Sequence, residues 1–149
     1  MLRMKKNLVL ILVLIFTISC NLNNDCGECF TPPRQFNFDF VDKDTQENLF
    51  VNDTFEMETI TVVDENNDNV NFQIVFYNDS YILSLSEIGW NTNPKVYTII
   101  LNDSISVIFE LDMKSVQSDC CTFFEVESFS LQNYNYTESS STGIIQVEI

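Results

Sequence analysis

The chain has 149 residues, with 22 acidic against 7 basic side chains, a formal charge of −15 and no histidine. A field of that sign repels nucleic acid and anionic lipid headgroups, and the missing imidazole removes Ser-His and Cys-His catalysis and histidine-based metal centres. With 45% hydrophobic residues and 13 phenylalanines in a length that suits one domain, the chain can bury a real core and is not a disordered tether throughout.

The first 19 residues read as a secretory signal. Arg3, Lys5 and Lys6 give a basic stub, Leu8 to Phe16 is an unbroken apolar run, and Ser19 is a small residue before Cys20. The apolar run is shorter than the roughly 20 residues a membrane span needs. Thr17-Ile18-Ser19-Cys20 resembles the lipobox of bacterial lipoproteins, with Thr17 where that family prefers an aliphatic residue. The resemblance implies cleavage after Ser19, a diacylglycerol on the Cys20 thiol and a Gram-negative envelope, and Asn21 after the cysteine points to the outer membrane. Each buried CH₂ of the acyl chains contributes about 0.8 kcal/mol, so two or three chains anchor stably. Removing the signal leaves Arg34, Lys43, Lys95 and Lys114 against 22 acids, a formal charge of −18. Solubility accounts for such a charge, and a basic protein partner is the specific alternative.

Residues 20–35 read as a tether, rich in Asn, Asp and Gly, with Pro32-Pro33 stiffening its end. From Phe36 the period becomes two. Phe36, Phe38 and Phe40 alternate with Asn37 and Asp39, which predicts a half-buried strand, and Asp42 to Asn48 predicts a turn. Further strands are predicted over Thr59–Val63, Val70–Phe76, Tyr81–Leu85, Val96–Leu101, Ile105–Met113, Cys121–Leu131 and Gly143–Ile149. In the longest of these the apolar phase slips near Glu127-Ser128-Phe129, the mark of a bulge. Asn133–Thr142 is polar and Ser-rich, and is expected to be a loop. About eight short strands joined by Asn/Asp turns predict an all-β antiparallel sandwich over residues 36–149. Asn and Asp serve where Gly is scarce because their short side chains tolerate left-handed backbone and bond to it.

Cys26, Cys29, Cys120 and Cys121 form an even set in an oxidising compartment, which argues for disulfides. Adjacent strand residues point to opposite faces, so bonding Cys120 to Cys121 strains the backbone. Two bridges from Cys26 and Cys29 to this pair are favoured, in either order. A redox pair in Cys26-Gly27-Glu28-Cys29 and a four-cysteine zinc site are the competing readings. No cofactor is indicated, and beside that zinc reading Ca²⁺ is the ion to consider. Asp42, Asp44 and Glu47 share one turn, and Asp64, Glu65 and Asp68 another, but neither matches an EF-hand loop, and solvated turns explain both. Trp90 reads first as a core residue. As a surface residue it would form a sugar-stacking platform with Tyr97, Tyr134 and Tyr136. There is no Walker loop and no dinucleotide fingerprint, so no catalytic residue is assigned, and a carboxylate-pair hydrolase is the one enzyme to consider.

The strand and turn from Phe36 to Phe50 resemble the opening of small secreted Ig-like or transthyretin-like sandwiches. With the Cys26/Cys29 and Cys120/Cys121 pairs, the whole resembles small uncharacterised bacterial lipoproteins. That resemblance implies a fold but no activity. The expected function is a non-catalytic binding or structural module, tethered by Cys20 to the outer membrane and facing the periplasm or the surface. The alternatives are an inhibitor or immunity-type lipoprotein that binds a basic protein, and a glycan- or calcium-binding surface module.

Overall fold

The computed structural model describes residues 31–118 and 121–149. The signal at 1–19, most of the tether, and Cys20, Cys26, Cys29 and Cys120 lie outside the described residues.

The strand opened by Phe36 is β1 (Phe36–Val41), and its alternation is realised as expected: Phe36, Phe38 and Phe40 are buried, while Asn37 and Asp39 take the other face. A single 3-10 turn (Met57–Thr59) leads into β2 (Thr61–Asp64). There follow β3 (Gln73–Tyr77), β4 (Ser80–Leu85), β5 (Lys95–Ile100), β6 (Ser106–Ser118), β7 (Cys121–Gln132), β8 (Asn135–Glu138) and β9 (Ile144–Glu148). They form a five-stranded sheet in the order β3-β4-β1-β9-β8 and a four-stranded sheet in the order β2-β5-β6-β7. Pairing is antiparallel throughout except between β1 and β9, which run parallel from Asn37↔Ile144 to Val41↔Glu148. The all-β sandwich predicted by the period-two pattern is therefore present, with β1 at the centre of the larger sheet.

Phenylalanine joins the two layers. Phe38 of β1 meets Phe109 of β6 with ring centroids 5.1 Å apart, and Phe129 of β7 touches both. Phe109 also stacks on Tyr97 of β5 at 5.2 Å. Offset and tilted ring pairs at these separations add to the burial of their area. The inner faces of β6 and β9 finish the core with Val107, Leu111, Met113, Ile145 and Val147, all buried.

Three segments depart from the pattern or sharpen it. The phase slip in β7 is a bulge: Asp112 faces Ser128 while Met113 faces Val126, so Glu127 is the extra residue. The segment expected to be a loop after Asn133 contains β8. Its only large apolar surface comes from the rings flanking and within it, Tyr134 and Tyr136. Tyr136 packs edge-on against Phe129, and its hydroxyl donates to the Phe129 carbonyl at 3.3 Å. Such a short edge strand needs little apolar sequence, so composition hides it. In β3, Phe76 belongs to the predicted apolar face but is 60% exposed, because β3 is an edge strand; its ring packs on Tyr81 of β4 at 4.9 Å.

The turns are built as the Asn/Asp content suggests. Asn78 and Asp79 both have positive φ (51° and 65°) and make the two-residue hairpin between β3 and β4. Asp53, Asn67 and Asn133 are also left-handed.

Pro33 and Arg34, at the end of the tether segment, pack on the sandwich. Pro33 is buried, and a Cβ placed on Gly89 would stand 3.0 Å from its Cβ, with the Gly89 backbone at φ +92°. Two independent demands thus fall on one glycine. Gly89→Ala is expected to cost about 1–3 kcal/mol, from strained backbone and displacement of Pro33, read as a lower urea midpoint at unchanged slope.

Candidate functional site

The outer face of the five-stranded sheet is concave. Because the phenylalanines of β1 point inward, Asn37 and Asp39 point outward and form the middle of the floor. Register sets Ser84 beside Asn37, and Ile144 and Gln146 beside Asn37 and Asp39 from the other side. Ile82 on β4, itself buried, backs the apolar patch. One wall is Val75 and Tyr77 of edge strand β3, 45% and 52% exposed. The opposite wall is the end of β8 and the turn to β9, residues 137–142. Two adjoining hollows of about 370 and 400 Å³ fill this groove and share Tyr77, Ile82, Thr142 and Ile144.

The second wall is latched. Arg34 Nη1 lies 2.8 Å from Glu138 Oε1, Nη2 donates to the Gly143 carbonyl at 3.3 Å, and the guanidinium sits 4.9 Å above the Phe36 ring. One arginine therefore ties the β8–β9 turn to the point where the chain joins the sandwich. The floor is held at the end of β1 by Asn48, which bridges Val41 and is buried despite its amide. Its Nδ2 donates to Asp39 Oδ1 at 2.7 Å and to the Tyr81 carbonyl at 3.0 Å, and its Oδ1 accepts the Phe50 and Val51 amides at 3.1 and 2.9 Å. All four hydrogen-bonding positions of the amide are filled. Asp39 is thereby oriented toward the groove with a fixed carboxylate.

A larger hollow, about 580 Å³, opens among the loops around Phe55 and Asp103. Hydroxyls and carboxylates line it, with Phe55 and Ile100 as its apolar members. It lacks the exposed aromatic wall that would give a partner apolar area to bury.

The residues singled out in the sequence are distributed elsewhere. Asp42 Oδ1 accepts the Asp44 and Thr45 amides at 2.9 and 2.8 Å, and those bonds hold its carboxyl below the ordinary range. It closes its own turn, and Asp44 and Glu47 do not join it as ligands. Asp64 closes the next turn in the same way, accepting the Asp68 and Asn66 amides, with the same direction of shift. Lys95 pairs with Glu65, lowering the carboxyl and raising the amine. Among the described residues no three Asp, Glu, His or Cys side chains converge to hold a metal ion.

Trp90 is not a core residue: it is 45% exposed and meets Phe124 edge-on at 5.7 Å. The tyrosines expected beside it turn inward instead. Tyr97 is buried against Phe109, and burial pushes its phenol up; Tyr134 and Tyr136 pack on the core. No platform of four rings forms. Cys121 is half-buried at the start of β7 and is disulfide-bonded, while Cys26, Cys29 and Cys120 lie outside the described residues.

The chain is thus a mostly antiparallel two-sheet β-sandwich with a groove across the outside of its larger sheet. Compared with protein-family models, with curated proteins and with solved structures, it shows no significant match to any. The groove residues Asp39, Asn48 and Tyr77 were not singled out from sequence. The available signal was the polar half of the β1 alternation, Asn37 and Asp39, which marks a solvent-facing sheet surface but not its concavity.

Proposed function

We propose that the chain is a lipid-anchored, non-catalytic binding module of the bacterial outer envelope, and that the groove on its five-stranded sheet receives the partner. The groove itself carries this reading. It is concave, it offers apolar area at Tyr77, Val75 and Ile144, and it presents polar groups at Asp39, Asn37 and Gln146, with Asp39 oriented by Asn48. A small apolar patch with a few fixed polar groups is the general form of a recognition site. Asp39, the carboxylate on the floor, is engaged by Asn48, and the arginine at the rim is engaged by Glu138. The face therefore favours a basic segment, as an inhibitor or immunity-type lipoprotein would. The lipobox at Cys20 supplies the address, and Cys26 and Cys29 would bridge to Cys120 and Cys121 to hold the tether to the domain.

A glycan is the second reading, favoured by an exposed Tyr77 ring beside amides and hydroxyls. Incorporating a photoreactive residue at position 77, and at Glu110 on the outside of the other sheet as control, separates the two in the native envelope. A basic polypeptide adduct at 77 alone, weakening as salt rises, supports the first reading. Sugar competition without salt dependence supports the second. Equal labelling at 77 and 110 rejects the groove. The mass of the N-terminal peptide tests the anchor separately, since an unmodified Cys20 thiol rejects it.

A further inference from the structure

The outer edge of the five-stranded sheet carries no charge. Residues 69–78, between Asp68 and Asp79, hold no charged side chain, in a chain with 22 acids. Within that stretch lies β3, and no strand covers its outer side among the described residues. Val75, Phe76 and Tyr77 are all about half exposed or more. Edge strands are normally protected by a lysine, a proline, a bulge or a covering element. None of these sequence devices is present in β3, and its pairing with β4 is continuous from Gln73↔Ser84 to Tyr77↔Ser80.

The hairpin fixes which backbone groups are free. In a two-residue hairpin the closing pair exchanges hydrogen bonds, so Tyr77, Val75 and Gln73 turn their amides and carbonyls toward β4. Ile74 and Phe76 turn theirs outward. An antiparallel second β3 centred on Val75 places Ile74 opposite Phe76 of the second copy, and Phe76 opposite its Ile74. Each of those two pairs can exchange both hydrogen bonds, and each is an aromatic with a β-branched residue, a favourable cross-strand combination. Val75 meets Val75 at the two-fold axis. Gln73 faces Tyr77, and no like charges oppose each other.

We propose that β3 is a homodimer edge, joining two five-stranded sheets into one of ten strands. Charge decides the occupant. A strongly acidic molecule can approach its own copy only through an uncharged surface, which this edge is, whereas a basic strand would gain little from an edge without acids. The dimer also places the β3 walls of the two grooves side by side, so that Gln73 of one copy stands next to Tyr77 of the other. This inference rests on β3 alone and does not depend on the lipid anchor or on the groove's ligand.

A single strand pair buries less than the roughly 1,600 Å² of a standard interface, so the dimer should be concentration-dependent. Sedimentation of the full chain in detergent, over a hundredfold range of concentration, should show the protein mass doubling. Hydrogen exchange should show protection of the Ile74 and Phe76 amides rising over the same range. Val75→Lys and Val75→Glu should each be monomeric, since like charges then meet at the axis, and should melt as the wild type does at dilutions where it too is monomeric. Their equimolar mixture should recover the dimer. The proposal is overturned by a wild type that stays monomeric, whether its edge amides exchange freely or are protected at every dilution by another part of the chain. A dimer that survives Val75→Lys overturns it equally.

Discussion

Replacing Phe38 by alanine is expected to remove about 3–5 kcal/mol of stability, the range for losing a buried aromatic ring. The side chain is fully buried and touches Phe40 within its own sheet, and Phe109 and Phe129 in the opposite one. The ring is therefore a bridge between layers, and neither sheet can close the cavity without moving toward the other. Native domains are stable by about 5–15 kcal/mol, so a large share of the total is at stake. Equilibrium urea unfolding followed by near-ultraviolet circular dichroism measures the loss. Phe76→Ala, at the same residue type but 60% exposed, serves as the contrast at dilute concentration. It should change stability by less than about 1 kcal/mol. Similar losses in the two variants would show that the two layers are not held together through Phe38.

Asn48 supplies the second large effect. Asn48→Ala leaves the Tyr81 carbonyl and the Phe50 and Val51 amides without their partner, which should cost about 2–4 kcal/mol. Asn48→Asp is more informative. It keeps the acceptor for the two amides but sets a carboxylate where the amide nitrogen now lies, 2.7 Å from Asp39 Oδ1. Two carboxylates at that distance cannot both ionise comfortably, so the folded pair binds a proton more readily than the unfolded chain does. A pKa raised by folding means that stability is lost as pH rises through the carboxylate range and regained as pH falls. The difference from wild type should be largest near neutrality and shrink below about pH 4–5. Urea midpoints of both proteins at pH 7 and pH 4 check this. A penalty independent of pH would mean that the introduced group turns away from Asp39.

The sheets were legible where alternation was strong. Phe36-Asn37-Phe38-Asp39-Phe40 and Ile105 to Met113, Ile108 apart, place their apolar residues on the core side, and the phase slip at Glu127 marks the bulge. Legibility failed where a strand lies at an edge. The strand around Tyr136 is short and polar because a single ring suffices to seat it, and Phe76 looks like a core residue because periodicity carries no information about what stands opposite. The groove was hidden for a further reason. Its floor comes from β4, β1 and β9, which adjoin only through long-range pairing, and the parallel contact of β1 with β9 has no local signature. Asn48 was read as part of a turn, and its role emerges only once Asp39 and Tyr81 are seen beside it. Trp90 shows the converse: a lone tryptophan in a β domain suggests a core, but here it sits on the outside against Phe124.

The parallel zipper of the first and last strands sets the order of events in folding. Until β9 has emerged, β1 can pair only with β4, β8 has nothing to join, and the larger sheet stops at three strands. The loop that must close spans most of the molecule, so this step is slow compared with forming the β3–β4 or β6–β7 hairpins. A growing chain would therefore stay open, with its central phenylalanines unsealed, until synthesis has passed residue 148. That delay would keep it threadable for any machinery that requires an extended polypeptide.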